Sequence, residues 1–195
     1  MELEIRLGLP PALREDAAII YWQAFGGKLG RVMGPERRAL NYLDRVIRND
    51  HCIVALDASG SLLGLAGFKT PQGAFADGSP TDLRAVYGPF GAFWRSGVMR
   101  LLQSEVDNER FLVDGICVSR SARGRGIGTA LIWALCDEGT RRGYPAIRLD
   151  VVDNNWRARA LYERLGFAVT ATASIGPLRH VFGFSAATAM VRPLG

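Results

Sequence analysis

The run Arg123-Gly124-Arg125-Gly126-Ile127-Gly128, with Thr129 after it, has residue types and spacing that could do chemistry. It follows an apolar strand-like segment, Phe111 to Val118, and opens a helix-like one, Ile127 to Arg142. The first turn of a helix has backbone N–H groups with no intrahelical partner, and the helix dipole adds partial positive charge there. Glycines at 124, 126 and 128 let a bulky anion approach the main chain, and Arg123 and Arg125 add fixed positive charge. Such a loop suits a phosphate-bearing ligand, a pyrophosphate best. A Walker loop is excluded, because Ile127 and Gly128 stand where Lys and Ser or Thr are required. A dinucleotide fingerprint finds Gly124 and Gly126 but has Thr129 at its third position. Asp150, near the end of the next strand, could imitate its ribose-binding acid, so this reading stays open.

A second constellation spans Asn155 to Phe167, after another strand-like run from Ile147 to Val152. Asn155 fits the N-cap of a helix. Tyr162 lies seven residues on, two turns away, and so shares its face. Ala158, Leu161 and Leu165 form the neighbouring apolar stripe, and Gly166 fits the left-handed position that ends a helix. Taken alone, Tyr162 reads as an aromatic at the edge of a core with its hydroxyl tethered. Beside a phosphate loop, it reads as a phenol aimed at a ligand.

Together the two stretches resemble the acetyl-CoA site of the GNAT N-acetyltransferases. Arg123, Gly126 and Gly128 meet the pattern Arg/Gln-x-x-Gly-x-Gly/Ala of that family's pyrophosphate loop. Asn155 and Leu161-Tyr162-x-x-x-Gly166-Phe167 match its second motif at the expected separation. The resemblance covers roughly the C-terminal half; the N-terminal half agrees only in its order of elements. It implies acetyl-CoA as co-substrate, without a metal, and direct transfer of the acetyl group to a primary amine of a small molecule, peptide or protein. The cofactor would be held by Ile116, Cys117 and Val118 of the strand, by Arg123 to Thr129, and by Asn155. Backbone N–H groups near Cys117 and Val118 would stabilise the oxyanion. Tyr162 would be the general acid for the departing thiolate. The alternatives are a sensor module that binds CoA or a nucleotide without turnover and, further off, a dinucleotide enzyme.

The reaction also needs a general base, and the candidate is a carboxylate. Asp114 lies on the strand entering the site, and in a regular strand its side chain shares the face of Ile116 and Val118. A carboxylate with a pKa near ~4 in water is a weak base for an amine and would act through water or after burial. A strand-edge acid is an equally good reading. Cys117 is rejected as a nucleophile, being mid-strand with no histidine nearby in sequence. His51 and His180 read as surface or loop residues without metal-ligand spacing.

At the start of the chain, Glu2 to Leu7 alternates like a strand. Pro10-Pro11 begins a helix that Gly26-Gly27 should stop, and Pro35 starts a second through Ile47. Cys52 to Leu56 and Leu62 to Lys69 form a hairpin about Asp57-Ala58-Ser59-Gly60. Strands at 111–118 and 146–152 flank the 127–142 helix. Phe167 to Ala173 and Ser185 to Val191 close the fold as an antiparallel pair, joined by a loop at Ile175 to His180. The expected architecture is one mixed α/β domain, 1–195, of GNAT type. It has a mostly antiparallel twisted sheet, helices on both faces, and parallel strands 111–118 and 146–152. By resemblance these two splay apart, freeing backbone groups for an extended amide ligand.

Residues 70 to 110 depart from a minimal domain of this kind. Thr70 to Asp82 reads as a loop. One or two short helices divided at Gly88-Pro89 should follow, carrying Leu83, Val86, Tyr87, Phe90, Phe93, Trp94, Val98, Leu101 and Leu102 and packing on the sheet. Both motifs serve the cofactor, so Tyr87, Phe90, Phe93 and Trp94 are the expected lining of the acceptor pocket, or else a contact in a homodimer.

The chain has 195 residues and a net charge of +5, with arginine favoured over lysine. That suits anionic ligands but is too mild and dispersed to demand nucleic acid. Cys52, Cys117 and Cys136 sit in apolar runs, so reduced buried thiols and a cytoplasmic setting are expected. Neither a signal peptide nor a membrane span is expected.

Overall fold

The structure is a computed structural model that describes residues 3–102 and 109–195. The remainder of the 70–110 segment, 103–108, lies outside the described residues, as does the first residue of the strand expected from Glu2.

Strands β1 (Leu3–Leu7), β2 (Cys52–Asp57) and β3 (Leu62–Thr70) form an antiparallel meander on which β4 (Gly73–Ala74) folds back. β5 (Phe111–Val118) pairs antiparallel with β3, β6 (Ala146–Val152) pairs parallel with β5, and β7 (Ala168–Ser174) and β8 (Ala186–Pro193) close the far side. The sheet order is β1-β2-β3-β5-β6-β8-β7, with β4 paired to β3 off this path. β5 and β6 pair at only two positions, Phe111 with Ile147 and Leu112 with Arg148. Beyond Leu112 the two strands part, as the resemblance implied. A doubly wound nucleotide sheet is not formed, since β6 has antiparallel β8 as its other neighbour.

Alternation along the strands builds two cores. Ile53, Ala55, Ala66, Phe68 and Phe111 meet Ile127, Leu131 and Leu135 of α4 (Ile127–Arg141), with α5 (Trp156–Arg164) packed alongside. The opposite residues, Cys52, Val54, Leu56 and Leu65, meet α1 (Arg14–Met33) and α2 (Glu36–Val46). Gly26-Gly27 does not stop α1, which runs on to Met33. Tertiary burial of Val32 and Met33 at its far end outweighs the modest cost of glycine inside a helix.

The 70–110 segment differs from expectation in two ways. Thr70 to Asp82 is not all loop: β3 extends to Thr70, β4 follows, and α3 (Pro80–Leu102) begins at Pro80. α3 breaks at Gly88, whose φ of 71° only glycine adopts cheaply, directly before Pro89. It packs not on the sheet but on α1 and α2, in a third cluster with Val32, Met33, Tyr42 and Val46. The connection at 175–180 is not loop either: a 3₁₀ turn (Gly176–Leu178) leads into the short α6 (Arg179–Phe182), which buries Phe182 in the same cluster. His51 is buried rather than superficial, its Nε2 3.0 Å from Thr70 Oγ1 and its Nδ1 3.0 Å from Asp50.

Candidate active site

The glycine loop is built for an anion. Gly124 and Gly126 have φ of 78° and 79°, and the space a Cβ would fill at either is open. Gly126 is the N-cap of α4, so no side chain covers the free N–H groups of its first turn. Arg123 donates from Nε to the Val118 carbonyl at 3.3 Å, which ties the loop to the end of β5. A cavity of about 440 Å³ opens here, lined by Ile116, Val118, Arg123, Gly124, Gly126 to Thr129, Asn155 and Tyr162 among others.

Local sequence also fixes the second motif. The Asn155 side chain caps α5, accepting from the Ala158 N–H at 3.4 Å. The helix ends in a Schellman motif: Gly166 N–H donates to Glu163 O at 3.1 Å and Phe167 N–H to Tyr162 O at 3.0 Å, with Gly166 at φ 83°. The accompanying apolar contact is Tyr162 on Phe167, ring centroids 6.0 Å apart. The helix stop therefore positions the phenol. Burial first, then the nearby Cys117, pushes the Tyr162 hydroxyl up to about 12.

A second cavity, of about 260 Å³, lies where β5 and β6 part. Its floor is Val113 to Ile116 and Leu149 to Val152; Phe25 and Leu29 of α1 and Phe182 and Phe184 beyond β7 wall it. It shares Ile116, Asn155 and Tyr162 with the first cavity, so the two meet at those three residues.

Three expected site assignments change. Pairing passes from Gly67–Gly115 directly to Phe68–Val113, so Asp114 is the extra residue of a β-bulge. The bulge turns its side chain to the α1 side, away from Ile116 and Val118. There its oxygens are occupied: Ala76 N–H donates to Oδ2 at 3.1 Å, and Lys69 Nζ lies 3.3 Å from Oδ1. Cys117 does not offer its N–H to the opening. Ser119 N–H donates to Leu63 O at 2.9 Å, and antiparallel alternation then gives Cys117 to the β3 ladder and leaves Ile116 and Val118 facing the gap. Its thiol is buried in the core beneath α1, where burial raises its pKa far above the ordinary thiol value. Tyr87, Phe90, Phe93 and Trp94 line neither cavity. Tyr87 is buried and donates its hydroxyl to Met33 O, because α3 packs on helices and not over the sheet. Phe90 and Phe93 are 91% and 84% exposed, and Trp94 is stacked by Arg95, 4.3 Å from the ring centre.

Phe25, Leu29, Phe182 and Phe184 were missed by sequence reasoning. Phe25 stands inside the expected first helix without a distinguishing signal, Leu29 was hidden by the expected stop at Gly26-Gly27, and Phe182 and Phe184 carry no spacing signal. Among the described residues, no cluster of His, Cys, Asp and Glu could hold a metal, and no helix is long and apolar enough to cross a membrane.

One splayed parallel pair in the sheet, a glycine loop at the start of the intervening helix, and a capped helix bearing a half-buried tyrosine are together the features of an acetyltransferase fold. The model of the acetyltransferase (GNAT) family matches residues 15–167, and the chain belongs to that family. No curated protein matches its sequence. Solved structures resemble it in fold. An N-acetyltransferase from Staphylococcus aureus Mu50 superposes with TM-score 0.67 at 16% identity, covering 97% of this chain and 100% of that one. A GNAT superfamily phosphinothricin acetyltransferase from Sinorhizobium meliloti, solved with AcCoA, gives 0.63 at 20%, covering 100% and 90%. The ribosomal-protein-S18-alanine N-acetyltransferase of Escherichia coli gives 0.61 at 18%, covering 100% and 95%.

Proposed function

We propose that this protein is an N-acetyltransferase that passes the acetyl group of acetyl-CoA directly to a primary amine, both substrates being held together. The observation that carries the reading is the junction of two cavities at Ile116, Asn155 and Tyr162. One cavity has the glycine loop and an uncapped helix start; the other opens on the far side of the parted strands.

Acetyl-CoA supplies the activated acetyl group as a thioester. The glycine loop and first turn of α4, Gly124 to Thr129, would hold its pyrophosphate, with Arg123 and Arg125 contributing charge. The fit rests on the open space over Gly124 and Gly126 and on the uncapped N–H groups. Ile116 and Val118, whose backbone groups face the gap, are available to an extended amide and to a developing oxyanion. Holding both substrates at one junction lowers the entropic cost of reaction and needs no covalent enzyme intermediate. Tyr162 would give its proton to the departing sulfur; the phenol carries that proton at neutral pH, and burial extends the protonated range upward.

Titration calorimetry with acetyl-CoA and, separately, NADH tests the cofactor, and release of free CoA over a panel of amines tests turnover. Tight NADH binding without acetyl-CoA binding would overturn the reading. Acetyl-CoA binding with no amine-dependent CoA release would leave a sensor instead of an enzyme.

A further inference from the structure

We infer that the acceptor is a small free amine with an aromatic or branched apolar body, and that Phe25 sets the size of that body. The inference rests on the acetyltransferase reading and adds the substrate class of its second cavity.

The first observation is size. At about 260 Å³ the cavity falls below the roughly 300–1,000 Å³ of drug-sized sites. A compact molecule fills it, whereas a long polyamine or a peptide segment would have to lie mostly outside.

The second is chemistry. On the acceptor side the walls are Phe25, Leu29, Phe182 and Phe184. Phe182 is buried and its ring centroid is 6.1 Å from that of Phe184, so this wall is a fixed aromatic corner. Arg31 of α1 donates to the His180 carbonyl, which ties α1 to α6, the elements that carry the two walls. Such a surface gains from an apolar body and penalises a hydroxyl-rich one, which would leave polar groups unpaired.

The third is charge. Asp114 and Asp150 lie on the two parted strands, and both line the cavity. Asp114 is 11% exposed and held by Lys69 and Ala76. Asp150 is 39% exposed, with Arg148 3.2 Å from one oxygen. Asp150 is thus the more accessible acceptor for an ammonium or amine N–H, while the apolar wall takes the rest of the molecule.

Phe25 is singled out by its contact with the floor. A Cβ built on Gly115 would lie 2.8 Å from Phe25 Cζ and 3.0 Å from Cε2, so the ring rests on the bare backbone of β5. Tyr21 backs it, ring centroids 4.6 Å apart, and is itself buried. Phe25 is therefore fixed between Tyr21 and the strand.

The test measures kcat/KM by CoA release for 2-phenylethylamine, isoamylamine, spermidine, kanamycin and a peptide with a free N-terminus. Binding of the same amines to the protein–CoA complex is measured by calorimetry. The two apolar amines should exceed the others by about tenfold or more, the discrimination a hydrophobic pocket provides. Phe25→Ala should raise KM for 2-phenylethylamine about tenfold and shift preference to a bulkier arylalkylamine, with acetyl-CoA affinity unchanged. Phe25→Leu, which keeps apolar packing, should shift it in the same direction by less. Preference for spermidine, kanamycin or the peptide overturns the inference, as does unchanged selectivity in both Phe25 variants. So does failure of every apolar amine to bind the CoA complex. Failure of CoA itself to bind would instead remove the acetyltransferase reading beneath it.

Discussion

Tyr162 illustrates how a single side chain takes a role from its surroundings. Its ring is held by the helix stop at Gly166 and by Phe167, and no hydrogen bond to its hydroxyl is found among the described residues. Tyr162→Phe keeps the ring and removes the proton. Turnover should fall on the order of 10²-fold while acetyl-CoA affinity by calorimetry stays unchanged; turnover at the parent rate would make the residue structural. Because the phenol lies near 12, its ionisation should not cut kcat between about pH 8 and 10, which a pH–rate profile checks. The buried phenol of Tyr42 is likewise pushed up to about 12, by burial first. A raised pKa means that the fold favours the neutral form. This contribution is complete below about pH 10 and is lost as pH rises toward 12, so urea midpoints should drop between pH 9 and 11, and drop less in Tyr42→Phe. The cysteines make a parallel case. All three are free and buried, and burial pushes Cys52 up to about 12. A thiol reagent at pH 8 should leave the native protein unlabelled and label all three cysteines in denaturant.

At the scale of elements, the glycine loop and the first turn of α4 form the proposed anion site. Gly126→Asp places a side chain at φ 79° and a negative charge among N–H groups that await an anion; acetyl-CoA binding should vanish while the fold persists by circular dichroism. These elements were legible in the sequence because each has a local cause. Phe111–Val118, Ala146–Val152 and Trp156–Arg164 stand at their expected bounds, and the Asn155 cap and Gly166 stop are where the residue types put them. What was not legible depends on distant partners. Gly26-Gly27 has the composition of a stop, but buried Val32 and Met33 carry the helix past it. The bulge at Asp114 has only a weak local signal, the glycine at 115 beside it; the register between β3 and β5 fixes it, and it reverses the face of the carboxylate that a regular strand would present. The walls of the second cavity come from α1 and from residues 182–184, brought together only by the fold.

In the whole molecule, two cores sandwich one sheet, and a third cluster lies outside it among α1, α2, α3 and α6. Through Phe182 and Phe184 that third cluster connects α3 to the wall of the second cavity, while the four aromatic residues of α3 expected in the pocket line neither cavity. Arg95 is its pivot. The guanidinium is buried, 3.9 Å from the Tyr87 ring centre. It donates to Val32 O at 2.7 Å and Gly91 O at 3.1 Å, while Tyr87 donates to Met33 O. Carbonyls at the end of α1, which the helix itself cannot satisfy, are thus met by α3. Removing the guanidinium leaves the buried Val32 carbonyl unpaired and opens a gap beside Tyr87, so Arg95→Ala should cost about 2 kcal/mol or more. The same α1 carries Phe25 and Leu29 nearer its middle, so, on the proposed reading, loosening its end should raise the acceptor's KM and leave the affinity for acetyl-CoA, assigned to the glycine-loop cavity, unchanged. Phe90 and Phe93 predict the opposite. They lie in the same helix but are almost fully exposed, so Phe90→Ser with Phe93→Ser should change stability by no more than about 0.5 kcal/mol per site and leave both substrates' constants unaltered. Melting temperature, acceptor KM and acetyl-CoA Kd measured on both variants separate the two cases. If the double Ser variant raised the acceptor's KM alone, the aromatic face of α3 would belong to the acceptor pocket after all, and the wall formed by Phe25 and Phe184 would be only part of it.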